Sequence, residues 1–143
     1  MMKVIAIGDV HGQWPELWRV LKAAAAATPS LEPTPAVIEG HYQVVCVGDL
    51  VHYKDERAYA NAVGAEPYDS TDADHLRRAA KAQIRELYRF KRYVDQAGGN
   101  VQVILGNHDE SAADDRYQLS TRGGLDHAEF DESKGGMPLP DDL

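Results

Sequence analysis

The sequence predicts an α/β fold with a mostly parallel sheet and flanking helices, on two observations. Three short apolar runs, at residues 3–9, 43–49 and 101–105, each end at or beside a Gly followed by polar residues. Short apolar runs closed in this way are typical of buried strands. Helix-forming stretches separate the runs, and this alternation favours parallel strands joined by crossovers.

The first helix is predicted over residues 13–27. Pro15 suits the first turn of a helix, and the alanine run at 23–27 has high helix propensity. The apolar residues share one face and predict a helix packed on the sheet, with both tryptophans in the core: Trp14, Leu17, Trp18 and Leu21. Prolines then predict a connector over residues 28–40.

The second helix is predicted over residues 72–97, with Thr71 or Asp72 as its cap and Gly98 and Gly99 as its stop. Its apolar stripe is Leu76, Ala80, Ile84, Leu87 and Val94. The basic stripe beside it is interpreted as a solvated face: Arg77, Lys81, Arg85, Arg89 and Arg92. Residues 53–71 show no clear period and predict a long loop with a turn of helix around 56–62.

Length and composition predict one globular, cytoplasmic domain. The chain has 143 residues, and no apolar run approaches the roughly 20 residues that cross a bilayer, so no membrane partner is expected. The apolar start is interpreted as a strand and not as a signal peptide. The single cysteine of the chain, Cys46, excludes a disulfide framework and is interpreted as a buried, inert thiol.

The net charge of −8 is concentrated near the end of the chain. Residues 109–143 hold ten acidic and three basic side chains. The predicted organisation is therefore an α/β core over residues 1–109 and an acidic, Gly-rich tail over 110–143 that is partly mobile. This charge argues against general nucleic-acid binding.

Polar residues of metal-ligand type follow each predicted strand. They are Asp9 and His11, then Asp49 and His52, then Asn107, His108 and Asp109. Parallel strands bring their carboxyl ends to one edge of the sheet, so these groups should converge. A carboxylate that bridges two cations about 3.5–4 Å apart allows them to clamp a phosphate and activate a water. Mixed nitrogen and oxygen ligands suit Mn²⁺, Fe or Zn²⁺ more than Ca²⁺.

The motifs GDVHG, GDLV and GNHD, in this order, resemble those of the calcineurin-like metallophosphoesterases, and most closely the phosphoprotein-phosphatase branch and its bacterial relatives. The resemblance implies a fold like the N-terminal half of that family's α/β sandwich. It implies that Asp9 and His11 bind one metal, Asp49 both, and Asn107 the second. His108 would be the general acid. Two divalent ions are implied in a complete site, Mn²⁺ first, with Fe, Zn²⁺ or Ni²⁺ as alternatives.

Two departures from the family pattern bear on this site. Where the family has GDxVDRG, His52 replaces the Asp that pairs with the GNH histidine, and Tyr53 replaces the Arg that grips phosphate. Lys54 or Arg57 could supply the missing positive charge. The downstream ligands, a lone His and a GHxH motif, are not matched, since the only histidine after Asp109 is His127. A truncated chain, a second chain that completes the site, and a mononuclear site are the alternatives.

The other histidines are interpreted mainly as surface residues. His52 is taken first as a loop-surface residue, with an added metal ligand or a partner for His108 as alternatives. His127 is taken first as a solvated tail residue, with a ligand as the alternative. His41 and His75 are expected to be exposed.

The predicted function is hydrolysis of phosphate mono- or diesters by metal-activated water, without a covalent intermediate. The partner is a phosphorylated substrate: a phosphoprotein, a diadenosine polyphosphate or a small phosphomonoester. An oligomer that completes the site is a further partner to consider. The alternative function is a degenerate or truncated module that binds metal or a phosphorylated partner with little turnover.

Overall fold

The computed structural model describes residues 2–114 and 125–140, and within the last helix it leaves the side chains at 107, 110, 113 and 114 undescribed. A short 3₁₀ turn at Glu132–Lys134 follows the helices and strands. In chain order, the helices and strands are β1 (Lys3–Gly8), α1 (Trp14–Ala23), α2 (Pro35–Ile38), β2 (Tyr42–Val47), α3 (Glu56–Val63), α4 (Ala73–Gln96), β3 (Val101–Ile104) and α5 (Asn107–Asp114).

The three strands form one parallel sheet in the order β1-β2-β3. Ile5 pairs with Val44, and Val44 pairs with Val101, so β2 is central. Helices α1 and α4 contribute to the core on one face, where Trp18 makes edge contacts with Phe90 and Tyr93. The predicted α/β class and parallel sheet are confirmed.

The core interpretation of both tryptophans is also confirmed. Trp14 is 2% exposed and Trp18 is 5% exposed. The opposite face of the sheet is different, because Val4, Val47 and Ile104 are about half exposed there. Parallel sheets are usually covered on both faces, and the described residues leave this apolar face open.

The first helix is shorter than predicted, because α1 ends at Ala23. Ala25 adopts a positive φ of 60°, and the N–H groups of Ala26 and Ala27 both donate to the Leu21 carbonyl. This turn buries Ala26 and Ala27 in the core. Burial therefore outweighs the helix propensity of the alanine run. The predicted connector also contains the short helix α2.

The two later helices agree with the prediction. The expected turn near 56–62 is α3, which Asp55 caps by accepting from the Ala58 N–H. The long helix is α4, whose cap is Asp72, accepting from the N–H groups of Asp74 and His75. Within the basic stripe, Arg89 is half-buried and the other four members are exposed.

The chain beyond Asp109 contains buried residues that the acidity of this segment does not suggest. Ala128 packs with Leu76 and Ala79 of α4, and Phe130 packs with Ala80 and Val51. The predicted division of the chain after residue 109 stays a prediction. No helix among the described residues is long and apolar enough to cross a membrane.

Candidate metal centre

The segments that follow β1 and β2 run side by side in an unusual backbone conformation. Asp9, His11, Asp49 and His52 all have positive φ values, between 44° and 67°. Such values are uncommon for residues other than Gly and cost on the order of 1 kcal/mol each. The N–H of His11 donates to the Asp49 carbonyl at 2.7 Å, which links the two segments beyond the sheet.

A first cluster of ligand-type side chains lies at this edge. His11, Asp49 and His108 each offer one ligand atom, and these atoms lie within 4.8 Å of one another. Nδ1 of His11 donates to the His52 carbonyl at 3.2 Å, and Nε2 of the same ring lies 3.5 Å from Asp49 Oδ2. The other carboxylate oxygen of Asp49 accepts from the His108 N–H at 3.0 Å.

The two remaining predicted metal ligands, Asp9 and Asn107, follow β1 and β3. Asp9 is exposed, and its Oδ1 lies 3.8 Å from the point that a Cβ on Gly48 would occupy. Asn107 begins α5 directly after β3, and its side chain lies outside the described residues. The structure therefore brings His11, Asp49 and His108 together, with Asp9 nearby at the end of β1.

Asp109 has a structural role, because its carboxylate binds backbone N–H groups. Its Oδ1 accepts from the N–H groups of Leu50 and Val51 at 2.7 and 3.0 Å, and its Oδ2 accepts from the Gly106 N–H at 3.1 Å. Burial raises the pKa of Asp109, and these three hydrogen bonds oppose that shift. Both oxygens are committed to the backbone, so this carboxylate joins the segments after β2 and β3.

His52 is buried, and the interpretation as a surface histidine is wrong. Its exposure is 1%. The Nδ1 atoms of His52 and His108 lie 3.1 Å apart, and the His52 N–H donates to Oε1 of Gln83 at 2.7 Å. Burial, with smaller contributions from the neighbouring histidines, lowers the pKa of His52 to about 2, so the ring is neutral at pH 7. Sequence spacing gave no sign that α4 would cover this residue.

His127 is also buried, and the interpretation as a solvated tail histidine is wrong. It is 6% exposed, because Ala128 and Phe130 carry this segment into the core. Its ring stacks parallel to that of His52 with centroids 4.5 Å apart, and its Nδ1 hydrogen-bonds the Tyr59 hydroxyl at 2.5 Å. Burial lowers the pKa of His127 to about 4.

Glu129 is a buried acid that the sequence prediction missed. Its Oε2 accepts from Nε2 of Gln83 at 2.8 Å, whereas Oε1 is buried without a hydrogen-bond partner and lies 3.8 Å from Nε2 of His52. Burial raises the pKa of Glu129 to about 7, and the nearby Tyr59 hydroxyl and the hydrogen bond from Gln83 oppose the rise. In sequence it is one of ten acids near the chain end, and only the adjacent apolar Ala and Phe distinguish it.

The residues considered for phosphate binding lie on the loop before α3 and on that helix. Tyr53 packs over Gly12, where a Cβ would overlap its ring, and contacts Tyr59 edge-on. Lys54 and Arg57 are exposed. The residue at the family's Arg position is thus packed against the GDVHG loop, while the two candidate cations face solvent.

An α/β domain that gathers imidazole and carboxylate groups at the carboxyl edge of its parallel sheet has the architecture of a metal-dependent hydrolase. The family model for calcineurin-like phosphoesterases matches residues 2–142. The chain belongs to this family, and its fold agrees with the N-terminal half of the metallophosphoesterase α/β structure. No curated protein and no solved structure matches the chain. The narrower relation to phosphoprotein phosphatases stays a prediction.

Proposed function

We propose that this chain hydrolyses phosphate esters by attack of metal-activated water, without a covalent enzyme intermediate. The observation that carries the proposal is the convergence of His11, Asp49 and His108 at one edge of the sheet. Membership in the phosphoesterase family supports the same reaction class.

The donor set fits divalent transition metals. Imidazole and carboxylate groups together suit Mn²⁺, Fe, Zn²⁺ or Ni²⁺, and we expect Mn²⁺ first. Asp9, His11, Asp49 and Asn107 would hold the metal. When bound, the metal would activate a water for in-line attack and offset the charge on the phosphate.

His108 is the proposed proton donor to the leaving oxygen. Its Nδ1 faces His52 at 3.1 Å, so Nε2 is the atom that would meet the substrate. Its backbone N–H is held by the Asp49 carboxylate, which couples the position of the donor to that of the metal ligand. A well-placed general acid contributes about 10²–10⁴-fold to the rate.

The proposed substrate is a phosphorylated molecule. Lys54 and Arg57 are exposed and would attract its negative charge. A phosphoprotein, a diadenosine polyphosphate and a small phosphomonoester all carry the chemistry that these groups would recognise. The single buried thiol of Cys46 supports a cytoplasmic setting.

Two contacts favour a second candidate function, a module that binds metal or a phosphorylated partner with little turnover. The neutral, buried His52 stands where a carboxylate would support a protonated His108. Tyr53, which replaces the family's Arg, packs on Gly12 and has no guanidinium group to bind phosphate. A second chain that supplies further ligands would reconcile the two candidates, and activity confined to an oligomer would identify it.

The test is Mn²⁺-dependent hydrolysis of an aryl phosphate by wild type, Asp49→Asn, His108→Ala and the control His41→Ala. His41 has a side chain that is 68% exposed, so its variant should match wild type. Loss of turnover in Asp49→Asn and His108→Ala alone is expected. Metal bound by wild type without any turnover would refute the enzyme and favour the second candidate.

A further inference from the structure

The most unusual feature outside the motif ligands is a cluster of three imidazoles in the protein interior. His52, His108 and His127 each offer a ligand atom, and these atoms lie within 4.8 Å of one another. His52 and His127 are buried. His108 is common to this cluster and to the carboxylate cluster with His11 and Asp49.

We propose that His52, His108 and His127 form a three-histidine site for a borderline divalent cation such as Zn²⁺. His52 replaces an Asp of the family's second motif and His127 lies beyond the three motifs, so the site differs from the one formed by Asp9, His11, Asp49 and Asn107. Three imidazoles are a known ligand set for zinc and leave one position for water. The site does not depend on the chain being a phosphoesterase.

The spacing of the facing nitrogens of His52 and His108 fits a shared ion. The Nδ1 atoms of His52 and His108 lie 3.1 Å apart. Two nitrogens bound at about 2.0–2.1 Å to one tetrahedral zinc lie about 3.3 Å apart. The ring of His127 stands edge-on to His108 with centroids 5.2 Å apart and stacks parallel to His52, so ion binding would turn this ring toward the shared ion. Its Nδ1 is taken by Tyr59. Nε2 is therefore the atom of His127 left for an ion.

The groups around the cluster are those that usually support histidine ligands. A metal-bound imidazole commonly directs its other nitrogen to a carboxylate or another acceptor. Glu129 Oε1 lies 3.8 Å from Nε2 of His52 and is buried without a hydrogen-bond partner. The Tyr59 hydroxyl serves His127 in the same way.

A bound cation would also stabilise the ionised form of Glu129 in its buried position. A fully buried carboxylate is costly unless a positive charge or several hydrogen bonds offset it. The hydrogen bond from Gln83 satisfies Oε2 of Glu129. A divalent ion among three neutral imidazoles would give the other oxygen an opposite charge to face.

The first experiment uses Asp49→Asn, which disables the carboxylate site and leaves the three histidines intact. We expect this full-length variant to bind one equivalent of Zn²⁺, with three imidazole ligands by X-ray absorption and a tetrahedral visible spectrum with Co²⁺. Absence of binding, or fewer than three imidazoles, would overturn the site. Because Asp49→Asn is inactive under the proposed function, zinc binding and hydrolysis can fail independently.

Matched variants in the Asp49→Asn background assign the ligands. His127→Gln should lower zinc affinity by more than about 100-fold, beyond the usual cost of losing an outer-shell partner, and His41→Gln should leave it unchanged. Equal affinity in His127→Gln and its parent would exclude His127. If His127→Gln does not fold, Tyr59→Phe is the test: a loss of about 10- to 100-fold supports the site, and unchanged affinity contradicts it.

Discussion

The carboxylate of Asp109 accepts a hydrogen bond from the backbone N–H of Leu50 at 2.7 Å, across 59 residues of sequence. The same carboxylate accepts from Val51 and Gly106. These bonds hold the segment with Asp49 against the start of α5, which contains His108. The last residue of GNHD therefore positions two groups that we assign to the site, without facing the metal itself.

Asp109→Ala should lower the free energy of unfolding by about 3–5 kcal/mol, because three N–H groups lose a charged acceptor at a buried position. Asp109→Asn should lose less, since its amide oxygen can still accept. Urea denaturation measures both. The control is Asp95→Ala, which removes an exposed pair with Lys91 and should cost under about 0.5 kcal/mol. Equal stability of Asp109→Ala and Asp95→Ala would contradict this role.

Gly106→Ala should weaken metal binding and destabilise the fold. A Cβ at Gly106 would overlap the carboxylate and backbone N of Asp49, and overpacking of this kind costs about 1–3 kcal/mol. Gly8→Ala is the matched control, since its Cβ would make an ordinary 3.6 Å contact with the Val47 carbonyl. Mn²⁺ titration of the two variants gives the comparison, and equal affinities would show that Asp49 moves freely.

The fold could be predicted from sequence where local pattern and tertiary structure agree. The three apolar runs became adjacent parallel strands, and α4 begins and ends within one residue of its predicted limits. The prediction was wrong at the end of α1, where Ala26 is needed in the core. Helix propensity scales do not include the free energy gained by burying a residue in the core.

The site was predictable only in part. The motif residues at strand ends follow from topology, since parallel strands bring their ends to one edge. His52 contacts Gln83 of α4 and the ring of Phe130, and His127 is buried with the neighbouring Ala128, which packs on α4. A single polar residue in a loop carries no periodic signal of such burial.

Lys54→Ala and Arg57→Ala should each raise KM for an aryl phosphate about three- to tenfold, with little change in kcat. Both cations are exposed on or just before α3, so each should increase the affinity for an anionic substrate only modestly. Arg77→Ala removes an exposed cation on α4 and serves as control. The effect should shrink at high ionic strength. A KM unaffected in either variant would show that the phosphate is bound elsewhere.

Cys46 should resist thiol reagents in the folded chain. It lies in central β2 with no exposed surface, and burial raises the pKa of its thiol to about 12. The reactive thiolate is therefore scarce at pH 8. We expect no colour with a disulfide reagent until urea unfolds the protein. Ser30→Cys, at an exposed turn, should react at once with one equivalent, and equally fast reaction of Cys46 would contradict its burial.

Zinc should inhibit Mn²⁺-supported hydrolysis if both proposals hold, because an ion held by His108 removes the proposed proton donor. The inhibition should be weaker in Tyr59→Phe, where the His127 ring loses its hydroxyl partner, by about the 10- to 100-fold expected for an outer-shell change. The measurement is the zinc concentration that halves the rate at saturating Mn²⁺. Displacement of Mn²⁺ from the carboxylate site would instead inhibit both proteins at the same zinc concentration. Only a difference between them assigns the inhibition to the histidine cluster.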